Sequence, residues 1–470
     1  MTVPLLFLVT PAVMSLIVYL LRRWVWVQGM LAAVTAAILG LLALQIPLDT
    51  VAVFLGRDVQ FQSAWVVLGR SFTFAESDRP ALVFIYLASM FFFAGAGAAK
   101  IPRAFMPVGL FMLSLLTATI FVQPFLFAAL FLEMIAASAV LILSDDEHPA
   151  TRGALRLLVF VTLGVPFILL AGWHLEGLAA SPEDTTLLVR AAILLNIGLM
   201  ILLAVVPFHS WIPNVADDSS PFASAFVFTV IQAAVIFFML KFFTQFDWFR
   251  SNAAEFAVLR LAGAAMVLGG GAFAFAQRKF GRLMGYAVMV DLGTTLLAVS
   301  ITQADGLRVA FSIVALRGVG LAVWGLGLGW IRAHSRQHNS DDFDDVTGLA
   351  WYMPFAVAAV IFGGLSLAAV PLTAGFPGRW ALYRLLAVDD LGLAFIVLIA
   401  SVSVTLAYAR GIAALFRRES AAEETATEEP REGQVARVYL AVGVGVIILL
   451  GVFPQLLLPA VARAAEVFVK

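Results

Sequence analysis

Runs of about 20 apolar residues, separated by short polar turns, recur from one end of this sequence to the other. A helix rising 1.5 Å per residue needs roughly that length to cross the ~30 Å hydrocarbon layer of a bilayer. In hydrocarbon every backbone N–H and C=O must be satisfied within the chain, which leaves helices or a closed barrel. A barrel alternates apolar with polar residues, and these runs are continuous. The spacing predicts about 14 transmembrane helices, near 3–21, 26–46, 80–98, 104–122, 124–143, 154–173, 188–207, 221–241, 256–276, 283–302, 307–331, 353–375, 390–414 and 437–459.

Composition agrees with an all-α polytopic membrane protein: 62% of residues are hydrophobic, only 13% are charged and the mean hydropathy is +0.99. The 36 glycines suit helices that pack closely inside lipid. A net charge of −1 without a long basic run argues against a nucleic-acid partner. With no cysteine there is no disulfide, no thiolate nucleophile and no iron–sulfur ligation, and the five histidines are scattered. No metal site, cofactor or catalytic centre is expected, so any redox chemistry belongs to another chain. The first 21 residues lack a basic leader and a small-residue cleavage site and read as a first span. Lys and Arg are denser in alternate loops, around Arg22, Arg152, Arg278, Arg332 and Arg417, than around Arg70, Arg79 and Arg190. The positive-inside rule then places both termini outside an inner (plasma) membrane.

Residues 202–241 draw attention because two apolar runs meet at a polar, proline-bounded turn containing His209, Trp211, Asn214, Asp217 and Asp218. Such groups belong at a membrane surface or in a protein-lined cavity. Residues 47–79 carry short alternating pieces and read as an extracytoplasmic hairpin or surface helix. Residues 417–436 are a charged, solvated loop. The tail from Pro459 reads as a short interfacial helix, and the Gly269–Gly271 run as a close helix contact.

Charge inside a span costs several kcal/mol in lipid, so each such residue is a candidate functional group. Glu133 lies mid-span and serves either a proton path or a single hydrogen bond as a neutral acid. Asp291 and Arg317 sit in neighbouring apolar runs and form a plausible pair, as a structural lock or as part of a transport route. An arginine sets a local field but hardly releases its proton. Pro166, Pro371, Gly375 and Pro377 interrupt apolar runs, and broken helices at membrane depth often line ion paths; Arg379 follows the second interruption.

Four stretches in order, FLEMIAAS around Glu133, VVPFHSWIPNV at 205–215, RLMGYAVMVDLG at 282–293 and GLAWYMPFAVAAVIFGGLSLAAVPLTAGFPGRW at 348–380, resemble the antiporter-like subunits of proton-pumping NADH:quinone oxidoreductase (complex I), Mrp antiporters and membrane-bound hydrogenases. The resemblance covers roughly residues 80–400. It implies two inverted five-helix repeats, each with a broken helix, and a midplane chain of charges that moves protons. Residues 1–103 would then precede a first repeat at 104–241 and a second at 242–416, with a final helix and tail at 437–470. Glu133 matches the family's first-half glutamate, Arg379 the second-half lysine or glutamate, and Arg317 the lysine of a motif whose histidine is Ile313 here. Asp291 falls where members often have histidine. The two remaining relay lysines match Leu202 and Gln232, so no relay lysine survives. The resemblance implies a proton or ion path through Glu133, His209, Gln232, Asp291, Arg317 and Arg379, in a subunit that carries no redox centre of its own. Its partners would be other membrane subunits, with a soluble redox or carbon-uptake component. A proton-coupled module outside any redox complex and a degenerate scaffold are the alternatives.

Overall fold

The computed structural model describes residues 2–49, 51–54, 57–67, 69–99, 101–102, 104–144, 151–180, 185–246, 248–249, 252–301, 304–335, 337, 339–418 and 432–468. Most of the charged loop at 417–436 lies outside them. The chain is built almost wholly of helices: α1 Val3–Leu20, α2 Val25–Gln45, α3 Arg79–Gly95, α4 Phe105–Phe121, α5 Ala128–Leu143, α6 Arg152–Ala180, α7 Thr185–Leu202, α8 Trp211–Asp218 and α9 Pro221–Gln245. They continue with α10 Ala253–Phe275, α11 Phe280–Val299, α12 Ala304–Ala333, α13 Pro354–Leu367, α14 Phe376–Asp389, α15 Leu391–Phe416, α16 Gln434–Val452 and α17 Leu458–Glu466. Among the described residues ten helices are long and apolar enough to cross a membrane, and α4, α5, α7 and α13 are shorter apolar helices.

Burial sorts these helices into a centre and a rim. The apolar window of α9 is wholly buried, and those of α11 and α12 are 89% and 83% buried, whereas that of α16 is 22% buried. The exposed positions of the rim are apolar too, with Val159, Leu261 and Ile399 more than half exposed. This is the surface expected of a protein solvated by lipid tails. Small residues bring the helices together: a Cβ on Gly263 of α10 would lie 2.8 Å from the Gly293 carbonyl of α11, and one on Gly293 equally close to the Gly263 carbonyl.

The 47–79 stretch forms two antiparallel hairpins. β1 Val51–Phe54 pairs with β2 Arg57–Gln60, and β3 Ala64–Val67 with β4 Arg70–Thr73. β5, Val122–Gln123, joins β4 at the end of α4. Phe74, just past β4, packs on Phe7 and Phe121 and ties the hairpin to the bundle. The tail forms α17, which buries Val461 and Ala465, and Phe468 beyond it meets Phe311 of α12.

Three expectations need correction. The polar turn expected after Leu202 is largely helical: the chain breaks at 203–210 and resumes as α8. The span expected at 353–375 ends earlier, at Leu367; an interruption falls at 368–375, where Pro371 and Gly375 predict one, and the chain resumes as α14. Both breaks use one backbone device. Ala204 and Ala369 take positive φ, of 56° and 59°. In the first break Val205 N–H donates to Met200 O and Ala204 N–H to Ile201 O; in the second Val370 N–H donates to Leu365 O and Ala369 N–H to Ser366 O. This is the Schellman closure, with alanine in a position that glycine usually takes. Pro166, by contrast, does not interrupt its helix, since α6 runs through it. The α-helix tolerates one missing donor where flanking turns and neighbours hold it.

Candidate functional site

The three charges on inner elements converge. Asp291 projects from α11, Arg317 from α12 and Arg379 from the first turns of α14, just past the second break. Arg379 Nη2 donates to Asp291 Oδ1 at 3.0 Å, and Arg317 Nη1 reaches Asp291 Oδ2 at 3.4 Å. Arg317, Asp291 and Arg379 are 3%, 6% and 1% exposed. Two elements position Arg379. Gly375 lets α14 start against the end of α13, since a Cβ there would sit 1.9 Å from Ser366 O; its N–H donates to Ser366 Oγ at 3.0 Å. Gly378 then lies against Ile313 of α12, one turn before Arg317.

A hydrogen-bonded step leads outward from this centre. Arg379 Nη1 donates to Ser401 Oγ of α15 at 3.1 Å, and Tyr383 OH donates to the same oxygen at 3.0 Å. Ser401 and Tyr383 line an open groove of about 680 Å³ whose walls are the second break, α14 and α15, with Trp380, Arg384 and Phe395 along it. The buried guanidinium of Arg379 is therefore one hydroxyl away from a solvent- or lipid-accessible surface.

Gln232 lies on α9, where Val227–Ile231 forms a π-helical turn immediately before it. Such π-turns are frequent at functional sites because they re-aim the following side chains. Gln232 is 1% exposed, and neither amide atom has a protein partner; Thr229 Oγ1, on the preceding turn, has none either. Thr229 packs on Gly318, the neighbour of Arg317.

Glu133 and His209 stand apart from this centre. Glu133, on α5, is partly exposed and accepts from Thr162 Oγ1 of α6 at 2.6 Å, with Oε2 unpartnered. His209 sits in the first break and stacks on Phe273 of α10 at 6.0 Å. Leu202, at the end of α7, packs near Gly164 of α6, an apolar filling where the resembling family carries a lysine.

Other polar contacts were not visible from local sequence. Arg332, at the end of α12, binds Asp341 through Nε at 2.9 Å and Nη2 at 2.5 Å, and donates to the carbonyls of Ser219 and Ala216 at 2.8 and 2.9 Å. It thereby satisfies carbonyls at the C-terminal end of α8. Lys241 pairs with Asp78 at 3.0 Å and also reaches Ile120 O. Asn196 donates to Glu255 at 2.7 Å. The local signal was a cation at the end of an apolar run for Arg332 and Lys241, and for Asn196 an amide inside one, which suggests an interhelical hydrogen bond without naming its partner.

A helical chain with an apolar exterior, two interrupted helices and a buried ion cluster beside the second of them is a polytopic integral membrane protein. The family profile described as NADH:quinone oxidoreductase/Mrp antiporter, TM, matches residues 186–407. NADH-quinone oxidoreductase subunit N of Methylococcus capsulatus is 28% identical over 66% of this chain and 61% of its own length; that of Ectopseudomonas mendocina is 30% identical over 62% and 59%. The chain thus matches about three-fifths of the length of these curated relatives. Among solved structures, a chain of the membrane-bound sulfane sulfur reductase, an archaeal respiratory membrane complex, aligns with a TM-score of 0.80 at 18% identity, over 100% of this chain and 98% of that one. Chains of respiratory complex I from Thermus thermophilus and of the Mrp complex from Dietzia sp. align with TM-scores of 0.74 and 0.73, each at 19% identity. They cover 97% and 98% of this chain, and 99% and 96% of theirs. Over residues 186–407 the protein is thus similar to the antiporter-like membrane subunits of complex I and the Mrp antiporters, and it shares their fold along its whole length.

Proposed function

We propose that this chain is the antiporter-like subunit of a multi-subunit, redox-driven complex and carries protons or monovalent cations across a bacterial or archaeal-type plasma membrane by a route without relay lysines. Its 14 spans would count each interrupted helix once. Two inverted five-helix repeats would run from α4 to α9 and from α10 to α15. The matching backbone closures at Ala204 and Ala369 support that division, each falling in the fourth member of its repeat. Both termini would face outward.

The observation that carries this reading is the Asp291–Arg317–Arg379 cluster beside the second break. Arginine stays protonated, so within the cluster only Asp291 is able to take and release a proton. Neutralising Asp291 removes the carboxylate from both guanidiniums at once and frees α14, which carries Arg379, from α11. Proton occupancy is thereby converted into the position of a half-helix. Gln232 has donor and acceptor atoms for a hydrogen-bonded chain but carries no net charge. Glu133, beside Thr162 and partly exposed, is placed for entry from the side or from a neighbouring subunit.

The test uses the intact complex in proteoliposomes, with dye quenching as the measure of driven proton uptake. Asp291→Asn should abolish uptake while the complex still assembles. Undiminished uptake in an assembled Asp291→Asn complex would refute the route. Purification without any redox subunit, but with a soluble carbon-uptake component, would instead favour the non-redox module.

A further inference from the structure

The buried cluster holds two permanent cations and one carboxylate, so it keeps at least one uncompensated positive charge at every pH where arginine is protonated. An unpaired charge in a protein interior is strongly unfavourable. The other buried carboxylates among the described residues are engaged elsewhere: Asp78 with Lys241, Asp341 with Arg332, Glu255 with Asn196 and Glu432 with the Ala356 N–H. None of them neutralises Arg317 or Arg379.

Donors are in excess as well. Arg317 Nε and Nη2 and Arg379 Nε have no protein acceptor, although both side chains are almost completely buried. The Gln232 amide and the Thr229 hydroxyl, equally buried, are also unpartnered, and Thr229 abuts the turn of α12 that carries Arg317. Positive charge together with N–H and O–H donors lacking acceptors is the chemistry of an anion site. The groove ending at Ser401 and Tyr383, in hydrogen-bond contact with Arg379, offers a way in.

We propose that this centre binds one small monovalent anion, a halide or a small oxyanion, through Arg317 and Arg379 with Gln232 as a neutral donor. The site shares Asp291 with the proposed proton route but does not depend on it: it requires only the charge imbalance and the free donors. Protonating Asp291 raises the excess charge from one to two, so anion and proton bind cooperatively.

The experiment uses the purified full-length protein in lipid nanodiscs. Thermal unfolding is followed while sodium gluconate is replaced by sodium chloride or sodium nitrate at constant ionic strength and pH. Binding to the folded state alone raises Tm with anion concentration along a single-site curve. Chloride and nitrate should both stabilise the wild type. Gln232→Leu, which keeps all three charges, should weaken the apparent affinity several-fold, and Arg317→Gln more than tenfold. Asp291→Asn should strengthen it about tenfold, an effect of opposite sign that damage to the fold does not produce. Equilibrium dialysis with radioactive chloride reads the same order directly, and Gln232→Leu keeps the test open if Arg317→Gln does not fold. The proposal is overturned if gluconate matches chloride and nitrate in the wild type, or if Gln232→Leu and Asp291→Asn both leave the anion response unchanged.

Discussion

Replacing Asp291 and Arg317 singly and together measures whether the central cluster works as an ion pair. At an effective dielectric of about 20, charges 3.0 and 3.4 Å apart attract by about 5 kcal/mol each, much of it offset by the cost of leaving water. Asp291→Asn removes both attractions and leaves two buried guanidiniums with no carboxylate. Stripping one partner from a buried pair costs about 3–5 kcal/mol, and the upper end applies here. Arg317→Gln removes only the longer contact and leaves Asp291 paired with Arg379. Its cost is at the low end of a charged hydrogen bond, about 1.5 kcal/mol. The double variant should be more stable than the sum of the two losses implies, by about 2–3 kcal/mol, because removing Arg317 relieves the charge that Asp291→Asn exposes. Unfolding in detergent micelles by titrated SDS, followed by tryptophan fluorescence, gives the three values. Strict additivity, or an Arg317→Gln cost equal to that of Asp291→Asn, would refute this account of the cluster.

Three further changes test the frame around it. Gly375→Ala sets a methyl group against Ser366 O, so α14 must shift; a loss of about 2 kcal/mol or more is expected in the same unfolding assay, together with lower driven proton uptake. Arg332→Met strands Asp341, 3% exposed, and uncovers carbonyls at the end of α8, costing about 3–5 kcal/mol and read as a lower folded yield by fluorescence-detected gel filtration. Glu133→Gln keeps an acceptor for Thr162 and should change stability by less than about 1 kcal/mol while lowering proton uptake in proteoliposomes; unchanged uptake would remove Glu133 from the path.

The helical, lipid-facing character was legible because each span is a continuous apolar run, and an apolar side chain suits both the bilayer and the bundle core. The two half-helices were not. α8 contains Asn214, Asp217 and Asp218 and so read as a polar turn, whereas at 368–375 the interruption was legible but not the helix that carries Arg379 and Arg384 beyond it. Neighbouring side chains satisfy what hydrocarbon would not: Lys279 and Arg282 for Asp217, and Asp291 for Arg379. Asp291 and Arg317 stood out singly as charges in apolar runs, and opposite charges in one bundle tend to meet. The contact of Arg379 with Asp291, 88 residues away in sequence, had no local trace. The partnership of Lys241 with Asp78 across α9 and α3 had none either. Pro166 misled in the other direction, because a proline breaks a helix only where nothing else holds it.

The arginine on α14 also changes how this half-helix meets a membrane potential. A lysine in such a place is able to shed its charge, and the field then loses its hold. Arg379 cannot. A full transit of one elementary charge across 100 mV is worth about 2.3 kcal/mol, so a shift through a tenth of the field corresponds to about 0.2 kcal/mol. That is a small but permanent electrical bias on the second break, and the first break has no equivalent: counted from the two closures, Asn214 occupies the place of Arg379. The two halves share a backbone device, yet only the second holds a permanent cation ten residues past its closure.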